Sequence, residues 1–70
     1  MGKDTIHLLA INVTALRQQA GWTQDQLAGA CGISRSTVNS IERGSANAEL
    51  KTIIEISRRL SCDLAQLFGG

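Results

Sequence analysis

Apolar residues recur along this chain at the three- and four-residue spacing of a helix, and the two-residue alternation of a half-buried strand is absent. Ile6, Leu9, Val13, Leu16 and Ala20 share one side of a helix predicted over about residues 5–20, with Gly21 as its left-handed cap. Thr23 and Gln26 have the spacing of a capping box, and the helix they open ends at Gly32. Ser34 is a good N-cap for a third helix that runs to Arg43, where Gly44 stops it. Small and polar residues over 45–49 read as a loop. A fourth helix over about 50–60 turns Leu50, Ile53, Ser57 and Leu60 inward. Asp63 and Gln66 form a second capping box for a last helical turn over 64–68, and Gly69 and Gly70 finish the sequence. The pattern predicts an all-α chain of five short helices within one domain spanning residues 1–70.

Seventy residues leave little room for an enzyme's substrate cleft beside the core, and a domain this small buries only about 60% of its unfolded surface. The longest strongly apolar run, residues 6–11, is interrupted by His7 and is far short of the roughly 20 residues of a membrane span. No basic, apolar and small-residue order marks a signal peptide at the start, so a cytoplasmic protein is expected, without membrane attachment. Seven Lys and Arg against six Asp and Glu leave a net charge of +1, so any attraction to nucleic acid must come from local placement.

Candidate chemistry is sparse. Cys31 and Cys62 fall at apolar positions of helical patterns and read as small core residues, although counting alone leaves a disulfide open. With one distant histidine, His7, they do not supply the four ligands of a zinc site, and no metal or cofactor is expected. Hydroxyls are plentiful, but no histidine or carboxylate is placed to activate one, which argues against an enzyme.

The informative stretch is residues 24–43. Two short helices are joined by Gly32 and Ile33 alone, and a turn that tight forces a steep crossing, the geometry of a helix-turn-helix unit. Ala28 suits the point of closest approach, and Gly32 can adopt the positive φ that a Cβ disfavours. Leu27, Ile33, Val38 and Ile41 are the apolar anchors. Between them the third helix shows Arg35, Ser36, Asn39, Ser40 and Arg43, a polar face whose one nearby carboxylate is Glu42.

Residues 16–68 resemble the phage-repressor (Cro and cI, or xenobiotic-response-element) type of helix-turn-helix family. The resemblance rests on Leu16-Arg17, Gly21-Trp22-Thr23-Gln24, Leu27-Ala28, Gly32-Ile33-Ser34, Ser36-Thr37-Val38 and Ile41-Glu42-Arg43-Gly44, continued by Asn47, Leu50, Thr52-Ile53 and residues 64–68. It implies a five-helix, lambda-repressor-like DNA-binding domain, double-stranded operator DNA as ligand, and a homodimer, as in bacterial or phage transcription regulators. Two positions depart from the pattern. Ala48 stands where many relatives have proline, and Ser61 replaces the usual glycine after the fourth helix, which predicts a different cap there.

Carried over residue by residue, the resemblance implies base contacts from Arg35, Ser36, Asn39 and Ser40 in the major groove. It implies backbone contacts from Thr23, Gln24, Arg43, Ser45 and Lys51, with the Gln24 side chain and its helix N-terminus meeting a phosphate. The family also pairs the arginine of the first helix with the glutamate ending the third, here Arg17 and Glu42; the alternative is two separate solvated ions. Trp22 is expected to pack over the junction of the first two helices. Ile54, Leu67 and Phe68 are the candidates for the dimer interface. A second apolar stripe on the first helix, Leu8, Ile11 and Ala15, offers a competing surface. With it comes a competing function: an antitoxin or other interaction module whose main ligand is a partner protein.

Overall fold

The computed structural model describes residues 2–45 and 48–69. They form α1 (Lys3–Gln19), α2 (Gln24–Cys31), α3 (Arg35–Glu42), α4 (Leu50–Arg59) and α5 (Leu64–Phe68), with no strand among the described residues. Ala46 and Asn47, in the expected loop before α4, and Gly70 lie outside the described residues. Every helix contributes to one core: Leu9 and Val13 from α1, Leu27 and Ala28 from α2, Val38 and Ile41 from α3, Ile53 and Ile56 from α4, and Leu67 from α5. Burial of each large side chain among these contributes roughly 1.5–3 kcal/mol. α1 packs on α3 and α5, and α2 packs on α3 and α4, so the helix-turn-helix pair is clamped from two sides.

The helix ends follow local chemistry. Thr23 Oγ1 accepts the Gln26 N–H at 3.1 Å while the Thr23 N–H donates to Gln26 Oε1 at 2.8 Å, the reciprocal box the sequence predicts. Ser34 Oγ accepts the Thr37 N–H at 3.1 Å. At the other ends, Gly21, Gly32 and Gly44 take left-handed φ values of 77°, 69° and 67°. The next residue of each, Trp22, Ile33 and Ser45, donates its N–H five residues back, to the carbonyls of Arg17, Ala28 and Ser40. Those two features define a Schellman closure. After α4 the expectation of a different cap is overturned. Ser61 sits at φ 54° and the Cys62 N–H reaches the Ser57 carbonyl at 2.9 Å, so the same closure forms with a Cβ in the left-handed region.

Side-chain placement corrects the sequence reading in several places. On α1, Ala10 is buried with Leu9 and Val13, while Ile6 and Leu16 are half-buried and Ala20 is exposed. Leu50, expected to face inward, is 66% exposed as the first residue of α4. Ile56 takes its place in the core. Leu67 is wholly enclosed by the chain's own core, which leaves none of its side chain for a second copy. The short α5 is held from across the fold: Asn12 Nδ2 donates to the carbonyls of Leu67 at 2.9 Å and Gly69 at 2.8 Å.

One ion pair joins α1 to α3. Arg17 Nε donates to Glu42 Oε2 at 2.7 Å and its Nη2 to Oε1 at 3.0 Å, a two-pronged pairing with side chains only 12% and 6% exposed. The third guanidinium nitrogen, Nη1, donates to the Trp22 carbonyl at 2.7 Å, so the same arginine also fixes the α1–α2 junction. The bond to Glu42 raises the Arg17 pKa above its ordinary value, against the opposing effect of burial. Trp22 is half-buried and packs on the core.

Two stability measurements follow from these features. Ser61→Gly removes the Cβ from a left-handed position, offset in part by the flexibility glycine adds to the unfolded chain. The expected gain is about 0.5–1 kcal/mol, read as a melting temperature raised by a few degrees. Arg17→Met strands a shielded carboxylate and Glu42→Gln strands a guanidinium; each is expected to cost about 3 kcal/mol, with the double variant costing much less than the sum. Additive effects below 1 kcal/mol would show two independent ions.

Candidate nucleic-acid interface

The turn Gly32-Ile33 sets the presentation of α3. Gly32 closes α2 in the left-handed conformation and Ile33 packs against the core, so the chain reverses sharply and Ser34 caps α3. On α3, Val38 and Ile41 are buried. The helical period then turns Arg35, Ser36, Asn39, Ser40 and Arg43 to one outer side. Arg35, Ser36 and Arg43 are exposed, and Asn39 and Ser40 are half-buried at the edges of the helix. Thr37, absent from the sequence-based contact set, is exposed on the same helix, its hydroxyl 2.9 Å from that of Ser34.

Glu42 does not join this face. Its carboxylate is taken up by Arg17 and also accepts from Gln24 Nε2 at 3.1 Å. Gln24 Nε2 lies 3.5 Å from Asn39 Oδ1 as well. Both donors of the Gln24 amide are thus directed at α3, and an acceptor oxygen is all its side chain has left for a new partner. In the free chain the Gln24 amide is therefore engaged within the fold, and a phosphate contact from its N–H groups would exchange one of these bonds. In this arrangement the Gln26 N–H is taken by the Thr23 cap, which leaves the earlier backbone N–H groups of the first turn of α2 for an anion.

The remaining contact candidates are dispersed around α3. Thr23 is exposed, its hydroxyl oxygen serving as the α2 cap. Ser45 donates its hydroxyl to the Ser40 carbonyl at 3.2 Å, closing α3. A hollow of about 270 Å³ between α3 and the start of α4 is lined by Ser36, Thr37, Ser40, Ile41, Ala48, Glu49 and Thr52. Lys51 stands at the same end of α4, its Nζ 3.7 Å from Glu49 Oε2. Arg35 Nε lies 3.8 Å from Asp25 Oδ1, a neighbour sequence reading missed, because an acid in a helix's first turn reads as a partner of that helix's own dipole. Arg43 belongs to no ion pair among the described residues.

Among the described residues no three His, Cys, Asp or Glu side chains are grouped as a metal site requires. Cys31 and Cys62 are free, half-buried thiols that burial pushes up in pKa. No described helix is long and apolar enough to cross a membrane.

Comparison with known proteins agrees with this geometry. A model of a helix-turn-helix family matches residues 13–67. A hypothetical transcription factor of Neisseria meningitidis is 34% identical over 65 residues, covering 93% of this chain and 61% of that protein. Antitoxin HipB of Escherichia coli is 36% identical over 56 residues, covering 80% of this chain and 60% of its own length. The chain therefore spans about three fifths of these two relatives. The restriction-modification controller protein C.AhdI of Aeromonas hydrophila superposes with a TM-score of 0.86 at 30% identity, over 90% of this chain and 96% of that structure. On the matched residues, the five-helix architecture and the tight α2–α3 turn, the chain belongs to the Cro- and cI-type helix-turn-helix family of DNA-binding transcription regulators.

Proposed function

We propose that the chain is a cytoplasmic, sequence-specific regulator that binds operator DNA as a homodimer, with α3 in the major groove. The observation that carries this reading is the state of Glu42. The one carboxylate on α3 is withdrawn into the bond with Arg17, so the outer face of that helix carries two arginines, amides and hydroxyls. Such a face meets a polyanion without a buried repulsive charge. Arg35 and Ser36, at the helix start, are the base-reading pair nearest the groove floor, with Asn39 and Ser40 one turn on. Arg43 and Lys51 flank the helix and reach phosphates, and Thr23, Ser45 and the first-turn amides beside Gln24 complete the backbone set.

A second copy is part of the proposal because one module with a net charge of +1 gains little general attraction. Ile54 and Leu50, one turn apart on α4, are 40% and 66% exposed and form the self-contacting patch, with half-buried Phe68 of α5 as a further candidate. Two recognition helices would then lie about 34 Å apart on one DNA face. A partner-protein function is the competing reading, favoured by Ile11, 51% exposed on the other side of α1, and by the antitoxin among the relatives. Titration with random duplex at low and moderate salt, followed by selection from a random pool, separates the two. Absence of duplex binding would leave the partner protein as the ligand.

Two results are expected on a selected operator. Arg35→Ala costs about 1–3 kcal/mol and relaxes preference at one base position per half-site, whereas Arg43→Ala weakens all sequences alike and reduces the salt slope by about one per site. Binding across single-base operator variants checks both. Ile54→Glu is expected to give monomers by sedimentation with the helical spectrum intact and to abolish tight operator binding, while Leu8→Glu keeps the dimer. The reverse outcome moves the interface to α1.

A further inference from the structure

The charged groups around α3 are arranged in a way the contact set alone does not require. Of the three cations proposed to meet DNA, two have a carboxylate beside them: Asp25 lies 3.8 Å from Arg35, and Glu49 lies 3.7 Å from Lys51. An acid on a surface that meets phosphate is unfavourable by simple Coulomb repulsion. The Asp25–Arg35 pair is open to solvent, with side chains 74% and 67% exposed, so its contribution to folding is small. Its geometry is more informative than its energy. The closest approach of Asp25 to Arg35 is at Nε, the inner nitrogen of the guanidinium. The two terminal nitrogens of an arginine form the fork that can grip O6 and N7 of a guanine. The first turn of α2 and the first turn of α3 bring the two residues together across the tight turn; the nine residues between them in sequence hide the pairing.

We propose that Asp25 is a specificity-determining residue: it steers the Arg35 guanidinium toward a base edge and away from phosphates. This rests on the DNA-binding reading above. Unpartnered, an exposed arginine at a helix start swings to whichever phosphate is nearest and adds affinity for every sequence. With Asp25 at its Nε side, that swing separates two opposite charges and brings the carboxylate closer to the DNA backbone, whereas the base-reading pose keeps the pair. Asp25 thus penalises non-specific complexes more than the specific one, which is the form discrimination takes when affinity itself is modest. Glu49 beside Lys51 makes a useful contrast, because Lys51 is assigned to phosphate and its neutralisation carries no base information.

The test compares Asp25→Asn and Glu49→Gln in the full chain, measured on the selected operator, on its single-base variants and on random duplex across a salt series. Asp25→Asn is expected to tighten random-duplex binding roughly three- to tenfold and steepen the salt slope by about one per site. It is also expected to flatten the preference at the base pair that Arg35→Ala affects, and Asp25→Glu to restore it. Glu49→Gln is expected to tighten all duplexes alike with base preference unchanged. If Asp25→Asn behaves as Glu49→Gln does, Asp25 is a bystander charge and the proposal is wrong, while the operator-binding reading stands. If the unaltered chain shows no duplex preference, both fall together.

Discussion

Arg17 is where three parts of the structure meet. Its guanidinium spends two nitrogens on Glu42 of α3 and the third on the carbonyl of Trp22, at the entry to α2. A lysine at this position would offer a point charge with no fixed fork, and could not hold a carboxylate and a carbonyl in one plane. The pairing does two things at once. It fixes α3 against α1, and it withdraws the one carboxylate of α3 from the outer face of that helix. Gln24 extends the network to α2 by donating to the same carboxylate. The same few atoms therefore tie α1, α2 and α3 together and neutralise the one carboxylate of α3.

The two sides of α3 consequently have different characters. Inward, Val38 and Ile41 lock it to the core with no freedom of register. Outward, short polar side chains stand between Arg35 and Arg43. Packing and the exposed polar face are carried by different residues of one eight-residue helix, and Glu42 and Gln24 are where the two meet.

Much of the fold is legible in the sequence because it is local. Capping boxes, left-handed glycines and a two-residue turn depend on residues a few positions apart, and Thr23-Gln26, Ser34, Gly32 and the α3 limits are found where their chemistry puts them. What escapes is set across the fold. Helical period places Leu50 on the side of Ile53, but period alone does not decide whether the first residue of α4 is covered. Five residues of α5 contain too little period to show that Leu67 points inward. Asn12 reads as a neutral polar residue of α1 until Leu67 and Gly69 are brought over it. Asp25 is similar: its charge is visible, its partner is not. Ser61 is the opposite case, since a family preference for glycine predicts a change of geometry where the backbone keeps its shape and the residue bears the strain.

The Trp22 carbonyl has a consequence for observing the molecule. The chain has a single tryptophan, and its backbone is tethered directly to the arginine that holds Glu42. Trp22 is half-buried and packs against the core at the entry to α2. Loosening of the ion-pair network shifts that backbone and alters the water around the indole, without the indole touching any ligand. The protein thus contains its own optical gauge. Its emission is expected to report the integrity of the Arg17–Glu42 network.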